Sequence, residues 1–202
     1  MITDILTLWA AAIPLMGSPG PATLSLAGIG AAYGFRAGAG YLAGIVLGTV
    51  SVLLLIATGI TGLILGIPVL VQAITVLALG YILYLAYKIA TAPPLGETQT
   101  AQSAPRFAAG YILALANPKA YAAIGAAYAS VLIGGDAWAD AAIKIPALAI
   151  LIVAINSVWL TLGASISGLL RNRRTARVVN AVFAISLLAS VALAIHGMVD
   201  FR

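Results

Sequence analysis

Gly17-Ser18-Pro19-Gly20-Pro21 stands inside a stretch, residues 5–35, that carries no charged side chain. Pro removes a backbone donor and Gly raises the conformational cost of a helix, so a regular helix is not expected to run through this pentad. Yet an uncharged run of this length is the pattern of a membrane span, which needs roughly 20 apolar residues. The stretch therefore predicts a spanning helix broken near its middle.

The remaining sequence has the same character. Of 202 residues, 63% are hydrophobic and 7% are charged. A soluble domain carries about 45–50% apolar and roughly 25% charged residues, because its surface must face water. With Lys+Arg at 10 and Asp+Glu at 5, an ordinary cytosolic enzyme and a disordered chain are both excluded. The fold class expected is an all-α integral membrane protein. The first segment, beginning Met1-Ile2-Thr3-Asp4, lacks the basic start and short apolar core of a signal peptide and is read as a retained span. The chain has no cysteine and a single histidine, His196. That removes thiolate nucleophiles, iron–sulfur clusters and multi-imidazole zinc sites, so no metal and no cofactor are expected.

Charge-free runs locate the spans. They cover residues 5–35, 37–87, 145–170 and 178–199, and 107–135 is uncharged apart from Lys119. As one helix, 37–87 would reach about 76 Å, over twice a hydrocarbon core of about 30 Å. It is expected to turn back at Gly66-Ile67-Pro68, since Pro starts a helix better than it continues one. Six spanning helices result. Arg36, Lys88, Arg106, Arg171, Arg173, Arg174 and Arg177 then fall on one side, against Lys144 and Arg202 on the other. The richer side is cytoplasmic, which places both termini outside. The basic loop at 171–177 is what orientation in a bilayer demands, and no nucleic-acid partner is expected.

The segment 92–106, rich in Pro, Ser, Thr and Gln, reads as a cytoplasmic linker between halves 1–91 and 107–202. Each half holds three spans, an odd number, so the second enters the membrane from the opposite side. That is the geometry of two inverted three-helix repeats, common in secondary transporters. IGAAY at 29–33 returns at 124–128, and each half opens with a helix interrupted at Pro.

Asn117-Pro118 pairs a favoured N-cap with a favoured first helical residue, so a new half-helix is expected there. Gly20-Pro21 is the counterpart in the first half, with Thr23 in its first turn. Lys119 lies about 18 Å beyond the start of its helix, near mid-depth. Both half-helices should begin near the midplane, each presenting free N–H groups and about half a positive charge. Together they suit an anionic group such as a carboxylate. A lysine at this depth costs about 2.5–3.5 kcal/mol and is too far from either interface to snorkel. Contact with an anionic substrate, bonding to main-chain carbonyls and a neutral, deprotonated amine are the alternatives for this side chain. Asn156 and Ser157, midway along the fifth helix, and Gln72 and Trp159 are further candidates to face the same cavity. Gly40, Gly44 and Gly48 permit close helix packing, within one protomer or in a homodimer; the spacing does not decide.

Absent motifs narrow the chemistry. No Asp or Glu is expected within a span, there is no Walker-type phosphate loop, and GASISG at 163–168 is not a nucleophile elbow. An enzyme is not expected.

GSPGPATLSLAGIGAAYGFRAG (17–38), GYILYLAYK (80–88), FAAGYILALANPKA (107–120) and NSVW (156–159) followed by Asn180 resemble the corresponding parts of the lysine-exporter (LysE/RhtB-type) family of amino-acid efflux proteins. The resemblance implies a bacterial inner-membrane exporter of amino acids or related small polar metabolites, driven by an ion or proton gradient. It carries over Pro19, Gly20, Pro21, Asn117, Pro118 and Lys119 as site residues. Three departures bear on substrate. Ala22-Thr23 follows the first-helix motif where the family usually has Asn-Thr. Thr49 and Asn156 stand where acidic residues are often found. A neutral amino acid fits these better than a cationic one.

The function expected is thus gradient-driven export of a zwitterionic amino acid by alternating access, with H+ as the candidate coupling ion and Pro19, Gly20, Pro21, Thr23, Asn117, Pro118, Lys119 and Asn156 around the substrate. A passive anion or metabolite pore, or export of a solute other than an amino acid, are the competing readings.

Overall fold

The structure, a computed structural model, describes residues 2–59, 76, 80, 82–87, 89–91, 104–166 and 173–199. The turn expected at Gly66-Ile67-Pro68, Gln72 and all of the 92–106 linker before residue 104 lie outside these. The described elements are α-helical: α1 (Ile2–Gly17), α2 (Pro21–Ala57), α3 (Phe107–Leu115), α4 (Pro118–Ala129), α5 (Ala137–Ser165) and α6 (Arg173–Val199). Residues 82–87 and 89–90 are helical too.

The first expected span is broken as its prolines and glycines require. α1 stops at Gly17 and α2 starts with Pro21 in its first turn. Gly34 then interrupts α2 with φ 79° and ψ 170°, a conformation in which a Cβ would be strained. This is the bend that separates residues 21–33 from 35–57, beside Arg36, where the charge pattern put the first connection. α3 and α4 divide the fourth expected span at Ala116-Asn117.

Two helices differ from expectation at their starts. α5 begins at Ala137 instead of near residue 145, because the Asp136 carboxylate caps it, accepting from the N–H groups of Trp138 (2.9 Å) and Ala139 (2.8 Å). α6 begins at Arg173, inside the basic loop. The first difference corrects the expectation that no carboxylate lies within a span. Asp140 sits in the first turn of α5 and is buried.

α2 packs most extensively on α5 and α3, and α4 packs on α1 and α2. Contact is closest where glycines face backbone. A Cβ on Gly44 would meet Phe107 O and Tyr111 N, and one on Gly163 would meet the backbone of Ala27. Gly44 and Gly48 therefore serve packing inside the protomer, against α3, while Gly40 faces open space. Among the described residues two large apolar cores form. One joins Leu8 and Ala12 of α1, Val52 and Leu53 of α2, Ile124 of α4 and Leu148 of α5. The other joins Leu26, Ile29, Tyr41, Leu85, Leu113 and Leu160. Leu47, Leu54, Ile150, Leu162 and Ile185 point outward and are exposed. A soluble protein avoids so wide an apolar surface, whereas lipid covers it without cost. α2 and α5 are each long and apolar enough to cross a membrane.

Candidate functional site

Breaking α1 leaves carbonyls at its C-terminal end without helical partners, a heavy cost in a bilayer that supplies no water. Side chains from three other helices take them. Trp159 Nε1 of α5 donates to Gly17 O at 3.2 Å. Thr23 Oγ1 of α2 is 3.4 Å from Ser18 O. Lys119 Nζ of α4 donates to Ser18 O and, at 3.2 Å, to Pro19 O. The ammonium thus rests on the negative end of the α1 dipole, which offsets the cost of placing it there. Of the two partners the sequence left open for Lys119, the structure holds the main-chain carbonyls.

The half-helices that follow the breaks are capped locally. Gly20 has no side chain to cap α2, but its own N–H donates to Thr23 Oγ1 at 2.9 Å. Asn117, extended at φ −84° and ψ 104°, accepts through Oδ1 from Lys119 N at 3.2 Å. Gly20 is also a slot. A Cβ there would lie 2.9 Å from Lys119 Nζ and 3.2 Å from its Cε. The lysine reaches the carbonyls only because that position is empty.

Between the two apolar cores the breaks enclose a half-open pocket of about 420 Å³, its mouth included. Gly20 and Thr23 border it from α2, Asn117 and Lys119 from α4, and Asn156 from α5. Five of the eight residues expected around a substrate are therefore brought together. Pro19, Pro21 and Pro118 do not line it; Pro21 and Pro118 stand at the first positions of α2 and α4, where a missing N–H costs the helix nothing. Ser157 does not line it either, and Trp159 is committed to Gly17. Thr49 joins the lining, its hydroxyl donating to Ile45 O at 2.7 Å, and Asn156 Nδ2 donates to Ile152 O at 2.7 Å. Met16, Ile124 and Ile155 supply an apolar wall.

Lys119 is the one charged residue among the lining residues. Two helix N-termini, one ammonium, a few neutral polar groups and an apolar wall suit a small anion or zwitterion with a modest apolar side chain. The sequence did not indicate which carbonyls would face Lys119, nor the Asp140–Lys144 contact in α5, 2.6 Å between Nζ and Oδ2.

The family model of the LysE type translocator matches residues 13–197, a range that takes in both breaks and every residue of the pocket. Among curated proteins and among solved structures there is no match.

Proposed function

The chain belongs to the LysE type translocator family, and from that premise we propose that it is a secondary carrier exporting neutral amino acids or related small zwitterions across the bacterial inner membrane. The observation that carries this reading is the pocket at the paired helix breaks, whose lining bears one positive charge and no carboxylate. A substrate carboxylate would draw Lys119 Nζ away from Ser18 O and Pro19 O and lie against the N-termini of α2 and α4. The vacated carbonyls would then face the substrate ammonium, as unwound backbone faces cations in other carriers. A basic side chain would find no anionic partner at Thr49 or Asn156, and burying it unpaired is costly. An apolar one would find Met16, Ile124 and Ile155.

In this reading residues 1–91 and 107–202 are inverted three-helix repeats joined by the 92–106 linker, with six spans and both termini periplasmic. The two IGAAY copies support it, since one lies in the half-helix after Pro21 and the other in the half-helix after Pro118. Rocking of the repeats around the breaks would expose the pocket to each side in turn, with a proton gradient as the driving force. The chain would act as a carrier with no cofactor and no chemical step.

Counterflow in proteoliposomes tests the proposal. A panel of labelled neutral and basic amino acids is offered against an unlabelled internal excess. Saturable exchange of neutral amino acids, and not of lysine or arginine, is the expected result. Flux that neither saturates nor exchanges would replace the carrier with a pore, and exchange confined to basic amino acids would overturn the substrate class.

A further inference from the structure

One turn beyond Ile124, the last residue of α4 that lines the pocket, lies a buried ion pair that the transport reading does not use. Asp140 is 5% exposed and Lys144 2%. Lys144 Nζ sits 2.6 Å from Asp140 Oδ2 and donates to Tyr128 O at 2.8 Å, while lying 4.7 Å from the centroid of the Tyr128 ring. Asp140 Oδ1 accepts from the N–H groups of Ile133 (2.8 Å) and Gly134 (3.3 Å). Both carboxylate oxygens are thus occupied. So fully satisfied a pair is a fixed joint and not a proton carrier.

Its position gives the joint its meaning. Tyr128 belongs to the last turn of α4, Ile133 and Gly134 to the turn before α5, and Asp140 and Lys144 to α5 itself. α4 packs along its body on α1 and α2, and the ion pair ties its C-terminal end to α5. Gly134 belongs to the joint as well, because a Cβ there would meet the backbone of Ala139 and Asp140. The opposite end of α4 carries Asn117, Pro118 and Lys119. Lys119 and Tyr128 are about 14 Å apart along the helix, so a tilt of about 5° at the tied end moves the pocket end by about 1 Å.

We infer that Asp140 and Lys144 are positioning residues for translocation: by fixing the C-terminal end of α4 on α5, the pair sets where Asn117 and Lys119 stand against Asn156 in the pocket. The inference does not depend on which solute is moved. Breaking the joint leaves α4 free to tilt about its packing on α1 and α2, which loosens the pocket.

The native chain has no cysteine, so single thiols report cleanly. Ala120→Cys lines the pocket on α4, and Ser165→Cys lies exposed at the C-terminal end of α5, beside the basic loop, as a control. Maleimide labelling is followed in purified, folded protein of native sequence elsewhere, and with Asp140→Asn/Lys144→Met. That double substitution removes both buried charges together and so avoids stranding one of them. Labelling at residue 120 is expected to accelerate about tenfold, within the range that coupled neighbours show, with residue 165 unchanged. Gly134→Ala, which displaces the turn without touching a charge, is expected to act in the same direction. Unchanged labelling at residue 120 in either folded variant overturns the inference. So does failure of both variants to fold, which would make the pair a stability element alone.

Discussion

The ammonium of Lys119 rests on the main-chain carbonyl of Ser18, so the first turn of one half-helix closes the open end of another. This contact joins α4 to the end of α1. It explains how a lysine is held at the depth its sequence position implies, since the charge completes the backbone hydrogen bonding of a broken helix. It also makes Lys119 a group with two candidate partners, the carbonyls and a substrate carboxylate.

Lys119→Met keeps the stem and removes the charge. Loss of a charged hydrogen-bonding partner costs about 1.5–3 kcal/mol. Counterflow exchange is expected to fall at least about tenfold, the factor that 1.4 kcal/mol carries. The protein should still insert and elute as a folded species, and full exchange by this variant would remove Lys119 from the site.

Gly20→Ala is expected to reproduce much of that loss without touching the lysine. Its Cβ would occupy the space of the Lys119 side chain, 2.9 Å from Nζ. A flexible side chain can give way, so folding is retained while the contact to Ser18 and Pro19 is displaced. Exchange rate and thermal midpoint, measured together, separate the two effects.

Asn117→Ala removes the cap on Lys119 N and is expected to destabilise α4 by about 1 kcal/mol. Pro118→Ala restores a backbone donor and lets α3 run on into α4. Both should lower exchange, and Pro118→Ala should raise protection of the Ala116 and Asn117 amides in hydrogen exchange.

Glycines give a paired stability test. Gly163→Ala drives a Cβ into the backbone of Ala27, where neither helix can yield, whereas Gly40→Ala meets nothing within 4 Å. The first should cost several kcal/mol by overpacking, beyond the usual range of about 1–3 kcal/mol. The second should be neutral or stabilising by up to about 1 kcal/mol, since Ala is the better helix former. Thermal unfolding in detergent measures both.

Much of this arrangement is legible in the sequence because its signals are local. Proline and glycine mark the breaks at 17–21 and 117–118 whatever surrounds them. Asn117 announces its own cap. The joint at Asp140 and Lys144 is not legible in that way. Charge-free windows measure how much chain is comfortable in lipid, and they end at the first charge even when that charge is buried against a partner one turn away. α5 consequently starts before the window does. The partner of Lys119 is hidden for a different reason, because Ser18 is far away in sequence and its carbonyl carries no residue-specific signature. The glycines at 44 and 48 fit either kind of close packing by spacing alone, and only the position of Phe107 and Tyr111 assigns them to the protomer.

The central claim is that the solute binds in the pocket between the two breaks. Thr49→Cys places a thiol in that pocket, on a chain that otherwise has none. Its maleimide labelling in proteoliposomes is measured with and without a saturating amino acid that the same preparation exchanges, with Ser165→Cys, exposed at the C-terminal end of α5, as the control. Protection at residue 49 and none at residue 165 is the predicted result. Labelling at residue 49 that ignores an exchanged solute would contradict the account and place the binding site elsewhere.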